Sequence, residues 1–130
     1  MNRFKLILIL IPLLAAGMRL PAQVSFSDNG KTAAFSQAME LFNKEKYPAA
    51  IRLFDNFLRD NRESNTTLAD DAEYFAALSA LRLFNPDGEY RMVMFMATHP
   101  ESPHRNDGRM DLADYFYQNR NYRKAVTWYA

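Results

Sequence analysis

Displacing the sequence by 75 residues lays Glu40–Phe54 over Tyr115–Tyr129, and no other feature constrains the fold as strongly. Tyr47 falls on Tyr122 and Ala50 on Ala125 as identities. Leu41 meets Phe116, Phe42 meets Tyr117, Asn43 meets Gln118, Ile51 meets Val126, Leu53 meets Trp128 and Phe54 meets Tyr129 as residues of like kind. Ala38 falls on Ala113 under the same shift. Self-similarity at a fixed period marks a chain built from stacked copies of one supersecondary unit. Half of the displacement, about 37 or 38 residues, is long enough for one helical hairpin and its loops.

The hydrophobic pattern between the breaks is helical, with no alternating run long enough for a half-buried strand. A polar lead-in, residues 23–31, precedes a first helix expected from Thr32, carrying Ala34, Phe35, Ala38, Met39, Leu41 and Phe42. A second helix opens with Pro48 in its first turn and spaces Ala50, Ile51, Phe54, Phe57 and Leu58 along one face. Thr67 and Asp70 form a capping arrangement for a third, running to about Phe84. Asn85-Pro86-Asp87 stops that helix and starts a fourth, which ends before His99-Pro100; Ser102-Pro103 opens a fifth, and Asn121 precedes a sixth. The fold class expected is all-α: about six helices in stacked antiparallel hairpins, with units of about 32–66, 67–101 and 102–130.

Two helices of a hairpin approach closely only where they present small side chains, a role assigned to Ala38 with Ala50 and Ala113 with Ala125. Phe42, Tyr47 and Phe54 in the first unit, and Phe116, Tyr122 and Tyr129 in the last, then fill the space around each crossing and between units.

These residues resemble the tetratricopeptide repeat, a helix pair of about 34 residues with the pattern W-x2-L-G-x2-Y, then A-x3-F, then P. Leu112-Ala113-x2-Phe116 followed by Ala125-x3-Tyr129 fits in the last unit, where Arg109 stands at the Trp position. Ala38-x2-Leu41 and Ala50-x3-Phe54 fit in the first, with Ala34 and Gln37 departing from the pattern and Arg62 near the expected proline. The middle unit, Thr67 to Pro100, keeps the hairpin rhythm, but Ala76, Ala77 and Gly88 align with the pattern in more than one register. The resemblance covers about residues 32–130 and implies an α-solenoid whose concave surface takes a protein or peptide. It specifies a fold far better than an activity.

Residues 1–22 follow the order of a secretory signal peptide: a basic start with Arg3 and Lys5, an apolar run Leu6–Met18, then Arg19-Leu20-Pro21-Ala22. The run is 13 residues and contains Pro12, short of the ~20 that a membrane-spanning helix needs. Cleavage is expected after Ala22 and export follows, to the periplasm or outer membrane; membrane contact arises only if the segment is retained. Of 16 Lys and Arg, three (Arg3, Lys5 and Arg19) lie in the first 23 residues, so the remainder sets 13 bases against 15 acids, a formal charge of −2. No basic field remains to hold nucleic acid. Without cysteine there is no disulfide, no thiolate metal site and no lipid-modified N-terminal Cys.

Chemical candidates are few. His104, Asp107, Asp111 and Asp114 share one helical face, a spacing that metal ligands use, but solvated charge paired with interleaved Arg105 and Arg109 explains it better, and neither a metal nor a cofactor is expected. His99 reads as a helix-terminal polar residue, with a general base the sharper alternative. Asn65-Thr66-Thr67 matches the glycosylation sequon and reads as loop chemistry. Neither a nucleophile elbow nor a phosphate loop is present. Tyr115 and Trp128 lie outside the recurring positions and are the candidates for a partner-binding surface.

These features point to an exported, non-catalytic scaffold for protein–protein interaction. The alternative is a helical glycan-binding protein of the envelope, disfavoured by the absent lipid-attachment Cys. The Pro-Ala-Gln leader end and the Asn-Pro-Asp and His-Pro-Glu-Ser-Pro breaks look like those of long repeat proteins of the Bacteroidota cell envelope. The sixth helix reaches Val126–Ala130 with no Gly or Asn cap, so the chain reads as the N-terminal part of a longer array with an incompletely covered last helix.

Overall fold

The computed structural model describes residues 22–61 and 67–130. The signal segment through Pro21, Arg62 and the sequon residues Asn65 and Thr66 lie outside the described residues. Six helices follow one another: α1 (Ala22–Asn43), α2 (Tyr47–Asp60), α3 (Thr67–Arg82), α4 (Gly88–Thr98), α5 (Arg105–Gln118) and α6 (Tyr122–Tyr129), with no strand among the described residues. They pair as antiparallel hairpins, α1 with α2, α3 with α4 and α5 with α6, and α3 also packs on α1, α2 and α5.

Each hairpin turns in the same way. At the end of α1 the amide of Glu45 donates to the Phe42 carbonyl and that of Lys46 to Leu41; after α3, Phe84 donates to Leu81 and Asn85 to Ala80; after α5, Arg120 donates to Tyr117 and Asn121 to Phe116. The pivot residues Glu45, Phe84 and Arg120 have φ of 56°, 54° and 60°. This is the Schellman closure, which satisfies the last carbonyls of a helix with one left-handed residue. Three non-glycine residues hold that conformation, which costs about 1 kcal/mol or more apiece relative to glycine.

The three pivots fix the register of the middle unit. They are 39 and 36 residues apart, so the 75-residue displacement divides unequally. On this alignment Ala77 is the counterpart of Ala38 and Ala113, and all three are buried. Gly88 sits where α4 meets α3: a Cβ there would lie 3.0 Å from the Leu81 nitrogen and 3.1 Å from the Ala80 carbonyl carbon. Backbone meets backbone at that crossing, closer than an alanine permits.

The core forms two clusters bridged by Phe42 and Phe75. One holds Ala38, Ala50, Phe54, Phe57, Ala72 and Ala76; the other holds Tyr74, Ala77, Leu78, Leu81, Met92, Phe95, Leu112, Phe116 and Ala125. α3 contributes to both and is buried around most of its circumference, including Ser79, whose hydroxyl donates back to the Phe75 carbonyl. A helix apolar on all sides belongs in the middle of a stack.

Several expectations change. The lead-in at 23–31 is helical, because Ser25–Lys31 contains no proline and the turn-former Gly30 is in open space, so α1 runs unbroken from Ala22. Proline-led turns precede α4 and α5: Gly88 N–H donates to the Asn85 carbonyl and Arg105 N–H to Ser102, so Asn85-Pro86-Asp87 and Ser102-Pro103-His104 form one tight turn before each regular helix. α3 stops at Arg82, where the left-handed Phe84 ends it. Asn121, which precedes the sixth helix as expected, caps it, its side chain accepting from the Lys124 amide.

Of the packing residues, Ala38, Ala50, Phe54, Leu112, Ala113, Phe116 and Ala125 are buried, and Leu41 and Tyr47 are half-buried. Tyr122 and Tyr129 are not core: they are 55% and 41% exposed. Their counterparts are covered by the next hairpin, Tyr47 under Arg82 and Phe54 against Phe75, and no described element covers α6 in that way.

Candidate functional site

α3 and α5 lie side by side as first helices of successive hairpins, and a cleft of about 450 Å³ opens along them. Leu78 and Leu81 of α3 give it an apolar floor; Arg82 of α3 and Asp111, Asp114, Tyr115 and Gln118 of α5 line it, with Tyr47 from the start of α2. The four α5 residues recur at three- and four-residue spacing, which puts them on one face.

Arg82 is positioned by its neighbours. It donates to the Tyr47 hydroxyl at 3.0 Å, and its guanidinium lies 5.6 Å from the Phe42 ring centre and 5.8 Å from that of Tyr47. Asp111 accepts from the Tyr74 hydroxyl at 2.8 Å. Burial raises the Asp111 carboxyl above the ordinary aspartate range, against the lowering influence of the Tyr74 hydrogen bond and of Arg82. Burial, followed by the bond to Asp111, likewise pushes the Tyr74 phenol upward. Asp114 accepts from the Tyr129 hydroxyl, which raises that phenol as well. The cleft thus carries a cation, two carboxylates and the rings of Tyr47 and Tyr115, brought together from α2, α3 and α5.

A pH dependence follows from Asp111. A carboxyl whose folded pKa exceeds its unfolded value gives up stability as pH rises through the interval between the two, so its charged form weighs against folding at neutrality. Asp111→Asn keeps an acceptor for Tyr74 without the charge. The variant is expected to melt at or above wild type near pH 7 and to lack the decline just above the ordinary aspartate value of about 3.9. Thermal melts across that interval check it; an unchanged pH slope would remove Asp111 as its source.

The proposed acidic face of α5 is dispersed among separate partners. His104 stacks on Tyr74, ring centres 4.4 Å apart and nearly parallel, and its Nε2 lies 3.1 Å from Asp71. Asp107 is 3.7 Å from His104 Nδ1, while Asp111 and Asp114 pair with tyrosines. No group of metal ligands forms among the described residues. Arg105 and Arg109 do not pair with these acids, because they project from the opposite side of α5. His99 lies between Asp70, 3.1 Å from Nδ1, and Glu73, 2.8 Å from Nε2, tying the α4–α5 turn to the first turns of α3.

Tyr115 and Trp128 are both half-buried and line different cavities. Tyr115 lines the cleft and stacks on Phe84 at 5.6 Å; Trp128 lines a separate pocket among α4, α5 and α6. Sequence reasoning missed Arg82, Tyr47 as a lining residue, and Gln118. The i, i+3, i+4 spacing of Asp111, Asp114, Tyr115 and Gln118 was a usable signal for a shared face; nothing local indicated that α3 would bring Arg82 to it.

Polar contacts between hairpins recur at about one unit's separation. Arg91 grips Asp55 through both terminal nitrogens, at 2.9 and 3.2 Å, and Lys124 reaches Glu89 at 3.0 Å, joining the second helices of successive units. No described helix is long and apolar enough to cross a membrane. No family model matches the chain, and neither the curated proteins nor the solved structures yield a match.

Proposed function

We propose that this protein is an exported tetratricopeptide-type scaffold of the bacterial cell envelope that holds a protein or peptide partner in the α3–α5 cleft. The observation that carries the reading is the composition of that cleft: an anchored guanidinium at Arg82, carboxylates at Asp111 and Asp114, and the rings of Tyr47 and Tyr115 over an apolar floor. An extended peptide offers carbonyl acceptors, amide donors and side chains in alternation, and the cleft has a counterpart for each. The buried alanines at Ala38, Ala50, Ala113 and Ala125 and the recurring hairpin turn are what a repeat of this type requires, and the leader supplies the address.

A photo-crosslinking residue at Gln118, exposed on the cleft, tests the site. In envelope extract it is expected to give protein adducts that Arg82→Glu or Tyr115→Ala abolishes while the helical content stays unchanged. Binding on a glycan array with no protein adduct would transfer the protein to the glycan-binding class. Intact mass of exported material is expected to place the mature N-terminus at Gln23; retention of Met1 would put the scaffold on the membrane surface instead.

A further inference from the structure

On the side of α5 opposite the cleft is a second concavity. At 3.6 residues per turn, Arg105, Asn106 and Arg109 lie about 180° around the helix from Asp111, Asp114, Tyr115 and Gln118. They rim a pocket of about 330 Å³ whose apolar wall is Val93, Met96 and Trp128. Arg105 and Arg109 are one turn apart and exposed, and no ion pair or side-chain hydrogen bond with another described residue engages either guanidinium. Glu89 on α4 is already taken by Lys124.

Two uncompensated guanidiniums beside an apolar hollow define the chemistry of what fits. We infer that this pocket is a second docking site, and that its occupant is a partner segment in which an apolar side chain is flanked by carboxylates. The volume takes one ring or branched aliphatic side chain, and the exposed Arg105 and Arg109 line it beside the apolar wall, within reach of flanking acids. Trp128 gives the entering side chain an aromatic face. A basic segment is repelled by the same rim, so the pocket discriminates by charge sign. The site is independent of the α3–α5 cleft: it uses the other face of α5 and different residues throughout.

Trp128 is the only tryptophan in the chain, so its fluorescence reads this pocket directly. The probes are the capped tripeptides Ac-Glu-Phe-Glu-NH2, Ac-Lys-Phe-Lys-NH2 and Ac-Glu-Gly-Glu-NH2, titrated into the full chain at low salt. The acidic phenylalanine peptide is expected to give a saturable change with an affinity about tenfold or more above either control. The double variant Arg105→Glu, Arg109→Glu is expected to reverse the preference toward the lysine peptide, an outcome that loss of folding cannot produce. Arg59→Glu, the same charge reversal at an exposed position of α2 outside both cavities, is expected to leave the titration unchanged. Equal responses to the acidic and basic peptides, no response to the acidic one, or a charge-reversed variant that keeps the wild-type preference would each overturn the assignment.

Discussion

Replacing Phe95 with alanine is expected to lower stability by about 3–5 kcal/mol, the range for a buried aromatic side chain removed from a packed core. Phe95 is 1% exposed, in the larger cluster with Leu112 and Met92, and packs against Tyr74 at 5.6 Å and His99 at 5.4 Å. A domain of this size has about 5–15 kcal/mol in total, so the change removes a large share. Urea unfolding followed by far-ultraviolet circular dichroism gives the loss. Trp128 fluorescence gives a second reading, because Phe95 lies between α3 and the hairpin that carries the tryptophan. The variant is expected to lose the fluorescence transition earlier than the helical one. A midpoint shift worth less than about 1 kcal/mol would show that Phe95 is not central to the core.

Ala38→Leu is expected to destabilise by about 1–3 kcal/mol through overpacking. Ala38 is fully buried where α1 crosses α2. Ala34→Leu, one turn earlier on the same helix at an exposed position, makes the same chemical change with no neighbour to displace. It is expected to stay within about 0.5 kcal/mol of wild type. Thermal melts of the pair isolate the crossing from any effect of helix propensity. Matching melts would mean that the hairpin packs on another face of α1.

The small-residue positions were readable because their cause is local and periodic: an alanine that permits close approach recurs with the unit. Ala38, Ala50, Ala113 and Ala125 therefore came out of the 75-residue displacement alone. The middle unit resisted because the displacement divides into 39 and 36, so no single period superposes all three hairpins. The pivots also hid themselves. Glu45, Phe84 and Arg120 adopt a conformation for which glycine or asparagine is the usual signal, and the stack imposes it on residues that carry none. The displacement equates Tyr122 and Tyr129 with Tyr47 and Phe54, but the burial of Tyr47 and Phe54 comes from the following hairpin, which the pattern within one unit does not encode. Partners across units were invisible for the same reason. Asp111 meets Tyr74 and Arg91 meets Asp55, at separations of 37 and 36 residues, and one sequence does not reveal which side chains such a distance brings together.

Those separations also bear on how fast the chain finds its structure. Side-chain hydrogen bonds between units span 33 to 37 residues, so the ends of the chain need never meet during folding. Loop-closure entropy grows with the length closed, and topologies made of near neighbours fold in microseconds to milliseconds where sheets with distant pairings take far longer. The stack can grow by accretion: α3, once seated on α1 and α2, is the surface on which α4 and α5 condense. Each hairpin offers a docking surface to its neighbour, so adding a unit closes a loop of about one repeat however many units the stack holds.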